Sequence, residues 1–185
     1  LPMLLGLACI SKPLITILFT KKWIETVPYI QILSIACAVG MIGAISLQTI
    51  KAIGRSDIIL KLEFIKKPVY VVLLVAGAFI SPLAVAITML IYNIFGTLVN
   101  SYQLSKVINY SLREQFIDLK ESFLMCLIMS GVIYPMSFWK ANCWIIIGSQ
   151  ILLGVGVYLG MSIITHNESY YAIKNLIKEK LDGNK

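Results

Sequence analysis

The stretch GRSDIILKLEFIKKP, residues 54–68, decides the fold because it concentrates charge in a chain that is otherwise apolar. It contains the charged residues Arg55, Asp57, Lys61, Glu63, Lys66 and Lys67. The runs 26–50 and 68–105 on either side contain no Asp, Glu, Lys or Arg, and a membrane crossing needs only about 20 such residues. The charged stretch therefore indicates a water-exposed connection between membrane-spanning helices.

The composition of the whole chain agrees with a membrane protein. Of its 185 residues, 58% are hydrophobic and 14% are charged, with a mean hydropathy of +0.85. A soluble domain has roughly 25% charged residues. The run 68–105 is too long for one crossing, and Ser81-Pro82 divides it because proline disfavours a helical residue before it. We expect an all-α, polytopic membrane helix bundle with about six spans, near 1–19, 26–50, 60–80, 83–105, 119–139 and 143–165.

The basic residues predict the orientation of these spans. Because the spans alternate direction, twelve of the sixteen basic residues fall on one side, which the positive-inside rule identifies as cytoplasmic. Residues 107–118 are then a cytoplasmic connection, 119–165 hold two further spans, and 166–185 form a cytoplasmic amphipathic tail. Lys66 and Lys67 are expected to begin the third span, with their stems extending to the lipid headgroups. Since the chain has no initiator Met, we interpret it as a C-terminal fragment of a longer, multi-pass membrane protein.

No pattern of residues typical of catalysis is present. The acidic residues are expected in connections, helix ends or the tail, no phosphate-binding GxxxxGK[ST] loop occurs, and His166 is the only histidine. The four cysteines do not have metal-ligand spacing. We therefore expect no catalytic residue, no metal, no cofactor and no enzymatic activity. The net charge of +7 is assigned to the inner leaflet rather than to nucleic acid.

Span 83–105 carries a polar face in an apolar helix. Asn93, Gly96, Thr97 and Asn100 recur at i, i+3, i+4 and i+7, so they share one side of the helix. This face avoids lipid, and it either lines a substrate pathway or forms hydrogen bonds to a neighbouring helix.

Lys12 is a cation inside the first span, and Pro13 follows it. Two interpretations remain open. The ammonium could bind a diphosphate or a partner carboxylate. Alternatively, the long side chain could extend to the outer surface of the membrane that this span crosses.

Small residues predict where helices approach closely. Ala36, Gly40 and Ala44 are spaced by four in span 26–50, and Gly156 and Gly160 have the same spacing in span 143–165. We interpret both sets as helix-packing faces.

A capping box is predicted at Ser111 and Glu114, at the start of a helix that continues from the inner surface into span 119–139.

Four segments resemble the Wzx-type oligosaccharide flippases, which are polysaccharide (lipopolysaccharide) biosynthesis proteins of the multidrug/oligosaccharidyl-lipid/polysaccharide exporter superfamily. The segments are LGLACISKPLITILFTKKW (5–23), VPYIQIL (27–33), AIGRSDIILKLEFIKK (52–67) and INYSLREQFIDL (108–119). The resemblance covers about the first two-thirds of the chain. It implies a fourteen-helix, MATE-like transporter with two lobes, of which residues 1–106 would form part of the second lobe.

The resemblance also implies a function in the bacterial cytoplasmic (inner) membrane. The cargo would be a polyprenyl-diphosphate-linked oligosaccharide repeat unit for O-antigen, capsule or exopolysaccharide, moved across the membrane by alternating access. The partners would be this substrate, membrane lipids and other polysaccharide-assembly proteins. Lys12, Asn93, Thr97 and Asn100 are our candidates for the pathway, although none matches a site residue of the family.

Several alternatives remain open from the sequence. Within the superfamily they are a MATE-type drug/cation antiporter and a lipid II flippase. A membrane-embedded polysaccharide polymerase is disfavoured because the outer connections are too short to form a catalytic domain. A non-transporting membrane scaffold or a gene remnant would share the same hydropathy pattern.

Overall fold

The computed structural model describes residues 1–139 and 142–165. Within these ranges the chain is helical and contains no strand, which confirms the all-α prediction. Lys140, His166 and the predicted amphipathic tail at 166–185 lie outside the described residues. The helices are α1 (Pro2–Leu18), α2 (Val27–Ala52), α3 (Ser56–Ile80), α4 (Pro82–Ile108), α5 (Leu112–Ile133) and α6 (Cys143–Ile164), with 3-10 turns at Lys21–Thr26 and Tyr134–Phe138.

Local sequence signals set the ends of the helices. The α3–α4 break lies at Ser81-Pro82 as predicted, where Pro82 occupies the first turn of α4 and the Ser81 hydroxyl accepts from the backbone N–H of Ala84 at 3.1 Å. Gly54 (φ 81°) and Asn109 (φ 55°) adopt positive φ after α2 and α4. These residue types tolerate the left-handed region best, so they mark where each helix must turn.

The predicted capping box at the start of α5 is confirmed. The Glu114 carboxylate accepts from the backbone N–H of Ser111 at 2.8 Å, and the Ser111 hydroxyl accepts from the backbone N–H of Glu114 at 3.2 Å. Two backbone donors at the helix start are thereby satisfied. At the other end, α5 stops at Ile133 instead of continuing to residue 139, because Pro135 cannot donate the next helical hydrogen bond.

The structure corrects the prediction for the charged stretch 54–68. Helix α3 begins at Ser56, not near residue 60, so Lys66 lies ten residues inside the helix, about 15 Å from its start. Lys66 is 4% exposed and does not reach a headgroup, whereas Lys67 is exposed. The expectation that every carboxylate lies in a connection or at a helix end is wrong for Glu63, whose Oε1 is 2.6 Å from Lys66 Nζ. Opposite charges three residues apart on one helix can meet and neutralise each other.

The helices form a connected bundle around the α2–α4 pair. Helix α3 packs mainly on α4, α1 packs on α2, and both α5 and α6 pack on α1. At one end of the bundle, Ile50, Ile58, Leu62 and Leu104 bring α2, α3 and α4 together in an apolar cluster. We call this the basic end, because the turns there carry the basic side chains Lys51, Arg55, Lys106 and Arg113.

Hydrogen bonds attach the last helical hairpin to α1. The Gln150 side-chain amide of α6 donates to the Ile133 carbonyl at 3.1 Å and to the Ser137 hydroxyl at 2.9 Å. Ser137 in turn donates to the carbonyl of Cys9 at 3.0 Å. Because Pro135 interrupts the regular hydrogen bonding of this segment, a side chain from α6 takes over part of it. The network links α6, the turn after α5 and α1.

Among the described residues, three helical segments are long and apolar enough to cross a membrane: Lys21–Ala52, Pro82–Ile108 and Cys143–Ile164. The other described helices differ from these three: α1 is shorter, with 17 residues, and α3 and α5 carry charged residues in their first halves. These apolar helices and the extensive exposed apolar surface are consistent with a helical membrane protein. The six crossings and the two-lobe, fourteen-helix arrangement stay predictions.

The three tryptophans lie in or beside the turns opposite the basic end. Trp23 belongs to the turn between α1 and α2, and Trp139 and Trp144 flank the connection between α5 and α6. All three are more than half exposed. Tryptophan concentrates at membrane interfaces because its ring is apolar and its N–H is polar. This placement therefore fits a bundle whose end opposite the basic end lies at a membrane surface.

Candidate functional site

The polar face of α4 is turned toward α2. The Thr97 hydroxyl donates to the carbonyl of Val39 at 3.0 Å, and the Asn100 amide donates to the carbonyl of Gly43 at 3.1 Å. One turn further along α2, the Ser46 hydroxyl is 3.4 Å from the hydroxyl of Ser101, which follows Asn100 on α4. We call this contact the polar seam, formed by Val39, Gly40, Gly43 and Ser46 of α2 with Asn93, Thr97, Asn100 and Ser101 of α4.

Two glycines of α2 make the close approach at the seam possible. A Cβ atom at Gly43 would lie 2.9 Å from the Cα of Thr97, and one at Gly40 would clash with Asn93 Oδ1. Backbones can approach this closely only where side chains are minimal. The glycines therefore expose their backbone to the polar side chains of α4.

The structure brings three of the four pathway candidates together. Asn93, Thr97 and Asn100 share one face, as the spacing predicts, and Thr97 and Asn100 form hydrogen bonds to α2. The hydrogen-bonding interpretation of this face therefore has direct geometric support. Two observations support the pathway interpretation: Asn100 Oδ1 is buried and forms no hydrogen bond within residues 1–139 and 142–165, and Thr97 borders a cavity.

Lys12 lies apart from the seam. It is exposed on α1, and the buried Pro13 follows it inside the helix. The carbonyl of Lys12 accepts from the Thr16 hydroxyl at 2.9 Å. The four candidate residues thus do not converge on one site in the described chain.

The predicted packing residues of α2 lie in different surroundings. Ala36 is buried, Gly40 contacts Asn93, and Ala44 is exposed, while Gly43 makes the closest approach to α4. Each step of four residues advances about 40° around a helix, whereas seven residues from Ala36 to Gly43 return to within about 20°. The missed signal was therefore the i, i+4, i+7 pattern.

On α6 the close contact with α5 is made by Gly154, which the spacing of Gly156 and Gly160 did not indicate. A Cβ atom at Gly154 would lie 2.7 Å from Ile133 Cδ1. At Gly156 and Gly160 a Cβ atom would meet nothing within 4 Å in the part of the chain that is described. Gly154 faces α5 because it is four residues from Gln150, which bonds to the same segment.

A cavity of about 410 Å³ adjoins the seam on the side of α5. Thr97 and Ser101 contribute to its wall from the seam, and Gln115 and Lys120 contribute from α5. Most of the remaining lining residues are apolar, including Phe116 and Phe123. Gln115 is fixed by hydrogen bonds from its amide to the carbonyls of Ser101 at 3.2 Å and Tyr110 at 3.1 Å. The cavity is therefore mainly apolar, with a few polar groups on its wall.

Comparison with known proteins gives one relevant similarity. Over 189 aligned residues the chain is 26% identical to a Klebsiella pneumoniae protein described as an "Uncharacterized membrane protein in cps region". The alignment covers 97% of this chain and 38% of the relative, so the chain spans about two-fifths of the relative's length. No family model matches the chain, and no solved structure matches it significantly. The chain is thus similar to a membrane protein, in agreement with its apolar helices.

Proposed function

We propose that the chain is part of a flippase that moves lipid-diphosphate-linked oligosaccharide units across the bacterial cytoplasmic membrane for surface polysaccharide synthesis. The observation that carries this proposal is the similarity, along 97% of the chain, to a membrane protein of a cps region. A cps region is a capsule region, so the relative links the chain to polysaccharide synthesis. The resemblance of four segments to Wzx-type flippases supports a role in translocation rather than catalysis.

A flippase must move a polar headgroup through an apolar membrane, and features of this bundle suit that task. Stripping water from a sugar headgroup in hydrocarbon is costly unless polar groups replace it, so a passage must offer hydrogen bonds inside an apolar scaffold. Asn100 Oδ1, which is buried and forms no hydrogen bond with the described residues, is a polar group of this kind. The cavity beside Lys120 offers an apolar surface for the lipid portion. In this proposal the basic end faces the cytoplasm.

The flippase proposal is tested by removing the full-length protein from its host. Lipid-linked repeat units should then accumulate on the cytoplasmic leaflet, and surface polysaccharide should be lost. Re-expression of the full-length protein should restore both. A deletion strain with normal surface polysaccharide and no accumulated intermediate would refute the proposal.

Substitution of Lys12 tests whether that residue meets the diphosphate. We expect Lys12→Met in the full-length protein to reduce export severalfold at equal protein abundance, because a positive charge strengthens hydrogen bonding to phosphate. The matched control is Lys22→Met, which removes an exposed charge from the turn after α1. Equal export by both variants would mean that Lys12 serves only as an interfacial side chain.

Glu63 favours a second candidate, a MATE-type drug/cation antiporter. Such a transporter needs ionisable groups within its helices for ion coupling, and the structure places Glu63 inside α3. Loss of the full-length protein should then increase sensitivity to a cationic drug while surface polysaccharide stays normal. The same strain therefore distinguishes the two functions.

A further inference from the structure

Pro13 deprives one carbonyl of α1 of its helical hydrogen bond. Because proline has no backbone N–H, the carbonyl of Cys9, four residues earlier, does not receive the bond that would close this turn. Another segment supplies the missing donor: the Ser137 hydroxyl, in the turn after α5, donates to the Cys9 carbonyl at 3.0 Å. The proline turn of α1 is therefore stabilised from outside the helix.

Gln150 of α6 fixes the orientation of that serine. Its side-chain amide is 1% exposed and donates to the Ser137 oxygen at 2.9 Å and to the Ile133 carbonyl at 3.1 Å. A serine hydroxyl has a single proton, and an oxygen that accepts from Gln150 directs this proton elsewhere, here to the Cys9 carbonyl. We call this series of hydrogen bonds, Gln150 to Ser137 to Cys9, the relay. It runs from α6 to the proline turn of α1.

A second side chain reaches the same turn from α2. The Gln31 amide donates to the carbonyl of Ala8 at 3.4 Å, which is longer than an ordinary N–H···O hydrogen bond. The hydrogen bond from Ser137 to Cys9 is shorter, at 3.0 Å. The relay from α6 is therefore the stronger of these two attachments to the proline turn.

One polar atom of the relay is unsatisfied. Gln150 Oε1 is buried and has no hydrogen-bond partner among the residues that the structure describes. A buried acceptor without a donor costs free energy, so an arrangement that supplies a donor competes with this one. The relay therefore joins α6 to α1 while a second arrangement of its amide stays accessible.

The half of α1 before Pro13 has room to move. A groove of about 620 Å³ lies between this half and α6, and Met129 and Ile133 of α5 also line it. Every α1 residue on its wall precedes the proline, from Pro2 to Ile10. Packed protein interiors have few voids of this size, so a change in the angle of α1 at Pro13 meets little steric resistance on this side.

From these contacts we propose that Pro13 is a hinge of α1 and that Gln150 is the latch of this hinge. While Gln150 directs the Ser137 hydroxyl to the Cys9 carbonyl, the two halves of α1 keep one angle. Loss of the relay frees the half before Pro13 to move relative to α6. Lys12 belongs to the half that moves, so the hinge also sets the position of this cation. The hinge is independent of any cargo, and only its use in transport rests on the proposed flippase function.

Distances between spin labels in the full-length protein, in lipid membranes, test the hinge. The first label pair is Met3→Cys, before the proline, with Leu152→Cys of α6, and both positions are largely exposed. The native cysteines are replaced by alanine, which leaves the Cys9 carbonyl in place. Met3 lies about 15 Å before Pro13 along the helix, so a change of about 20° at the hinge moves it by about 5 Å. The second label pair, Leu18→Cys with Leu152→Cys, reports the half after the proline and should not change.

Two variants remove the relay at different points. Gln150→Leu replaces the latch by an apolar side chain of similar volume, and Ser137→Ala removes the donor to α1. In both we expect the distance of the first label pair to shift by several Å or to split into two populations. Ser137→Thr keeps a hydroxyl and should restore the wild-type distance, and Ser149→Ala, whose hydroxyl bonds within α6, is the matched control. Unchanged distances in Gln150→Leu and Ser137→Ala would overturn the proposal.

A change at the proline separates a latch from a general packing effect. Pro13→Ala restores the backbone N–H that the Cys9 carbonyl lacks, so α1 no longer depends on the relay. In this background we expect Gln150→Leu to leave the distance of the first label pair unchanged. An equal shift with proline and with alanine at position 13 would mean that Gln150 only packs, and it would refute the hinge.

Transport in proteoliposomes separates the hinge from the proposed function. With a polyprenyl-diphosphate-linked oligosaccharide in the membrane, we expect Gln150→Leu to slow flipping severalfold and Ser149→Ala to leave it unchanged. Equal flipping by the two variants would overturn the role of the hinge in transport and leave the flippase intact. A wild-type protein whose distances depend on the relay but which moves no oligosaccharide would refute the flippase and support the hinge.

Discussion

The side-chain amide of Asn100 donates a hydrogen bond to the backbone carbonyl of Gly43, with 3.1 Å between Nδ2 and the oxygen. Gly43 has no side chain to block this approach, and Asn100 is buried at the contact. The relationship joins α2 to α4 by a side chain on one helix and the backbone of the other. Asn100 Oδ1 is buried at the same contact and has no hydrogen-bond partner in the described part of the chain, so the residue has a spare acceptor at the seam.

Asn100→Ala is expected to destabilise the α2–α4 contact by about 0.6–1.7 kcal/mol, the range of hydrogen bonds between membrane helices. Reversible unfolding in detergent measures the change. Gln48→Ala, at an exposed position of α2, serves as the control and should have little effect. Unchanged stability of Asn100→Ala would contradict a structural role for the hydrogen bond.

Gly43→Ala is expected to destabilise the bundle by about 1–3 kcal/mol, as overpacking of a tight contact does. The added methyl group would lie 2.8 Å from Thr97 Oγ1 and 2.9 Å from Thr97 Cα, so the backbones must separate. The thermal unfolding midpoint in detergent checks this expectation.

Gly156→Ala is the matched control for that substitution, because a methyl group there meets nothing within 4 Å among the described residues. Within a helix, alanine is favoured over glycine by about 0.5–1 kcal/mol, so this variant should be slightly more stable than wild type. Similar midpoints for the two variants would mean that the seam is looser than the structure indicates.

Ser111→Ala is expected to destabilise the start of α5 by about 0.5–2 kcal/mol, because the backbone N–H of Glu114 loses its acceptor. Amide hydrogen exchange should become faster in the first turn of α5 and stay unchanged in α6. Ser105→Ala is the control, since the Ser105 hydroxyl only donates to the carbonyl of Tyr102 within α4. Equal protection in both variants would argue against the capping box.

Tyr110 is expected to ionise at unusually high pH. Its hydroxyl donates to the carboxylate of Asp118, and this bond raises the pKa of Tyr110. Because the protonated phenol is favoured in the fold, the stabilisation is complete below the ordinary pKa of about 10 and is lost as pH rises through the raised value.

Ultraviolet titration of phenolate, taken as the difference between wild type and Tyr110→Phe, reports this pKa. Asp118→Asn should move it back toward the ordinary tyrosine value, since the amide no longer offers an anionic acceptor. A Tyr110 pKa that is identical with and without the Asp118 carboxylate would exclude the interaction in solution.

The positions of the helices follow from the sequence because their signals are local. Uncharged runs, Ser81-Pro82 and the Ser111–Glu114 capping box depend only on neighbouring residues along the chain, and each predicts a feature that the structure contains. The shared face of Asn93, Thr97 and Asn100 follows from helical periodicity in the same way. These predictions needed no knowledge of which helices are neighbours.

The partners of each face were decided by tertiary structure. A membrane helix is apolar on several sides, so periodicity does not identify the side that meets another helix. The sequence therefore favoured Ala44 and Gly156 where the contacts are made by Gly43 and Gly154. It also placed Lys66 at a headgroup, because hydropathy treats each charge alone. The pairing of Glu63 with Lys66 follows from their spacing on α3, but only the packed bundle, in which Gly96 of α4 has no side chain near the lysine stem, buries the cation.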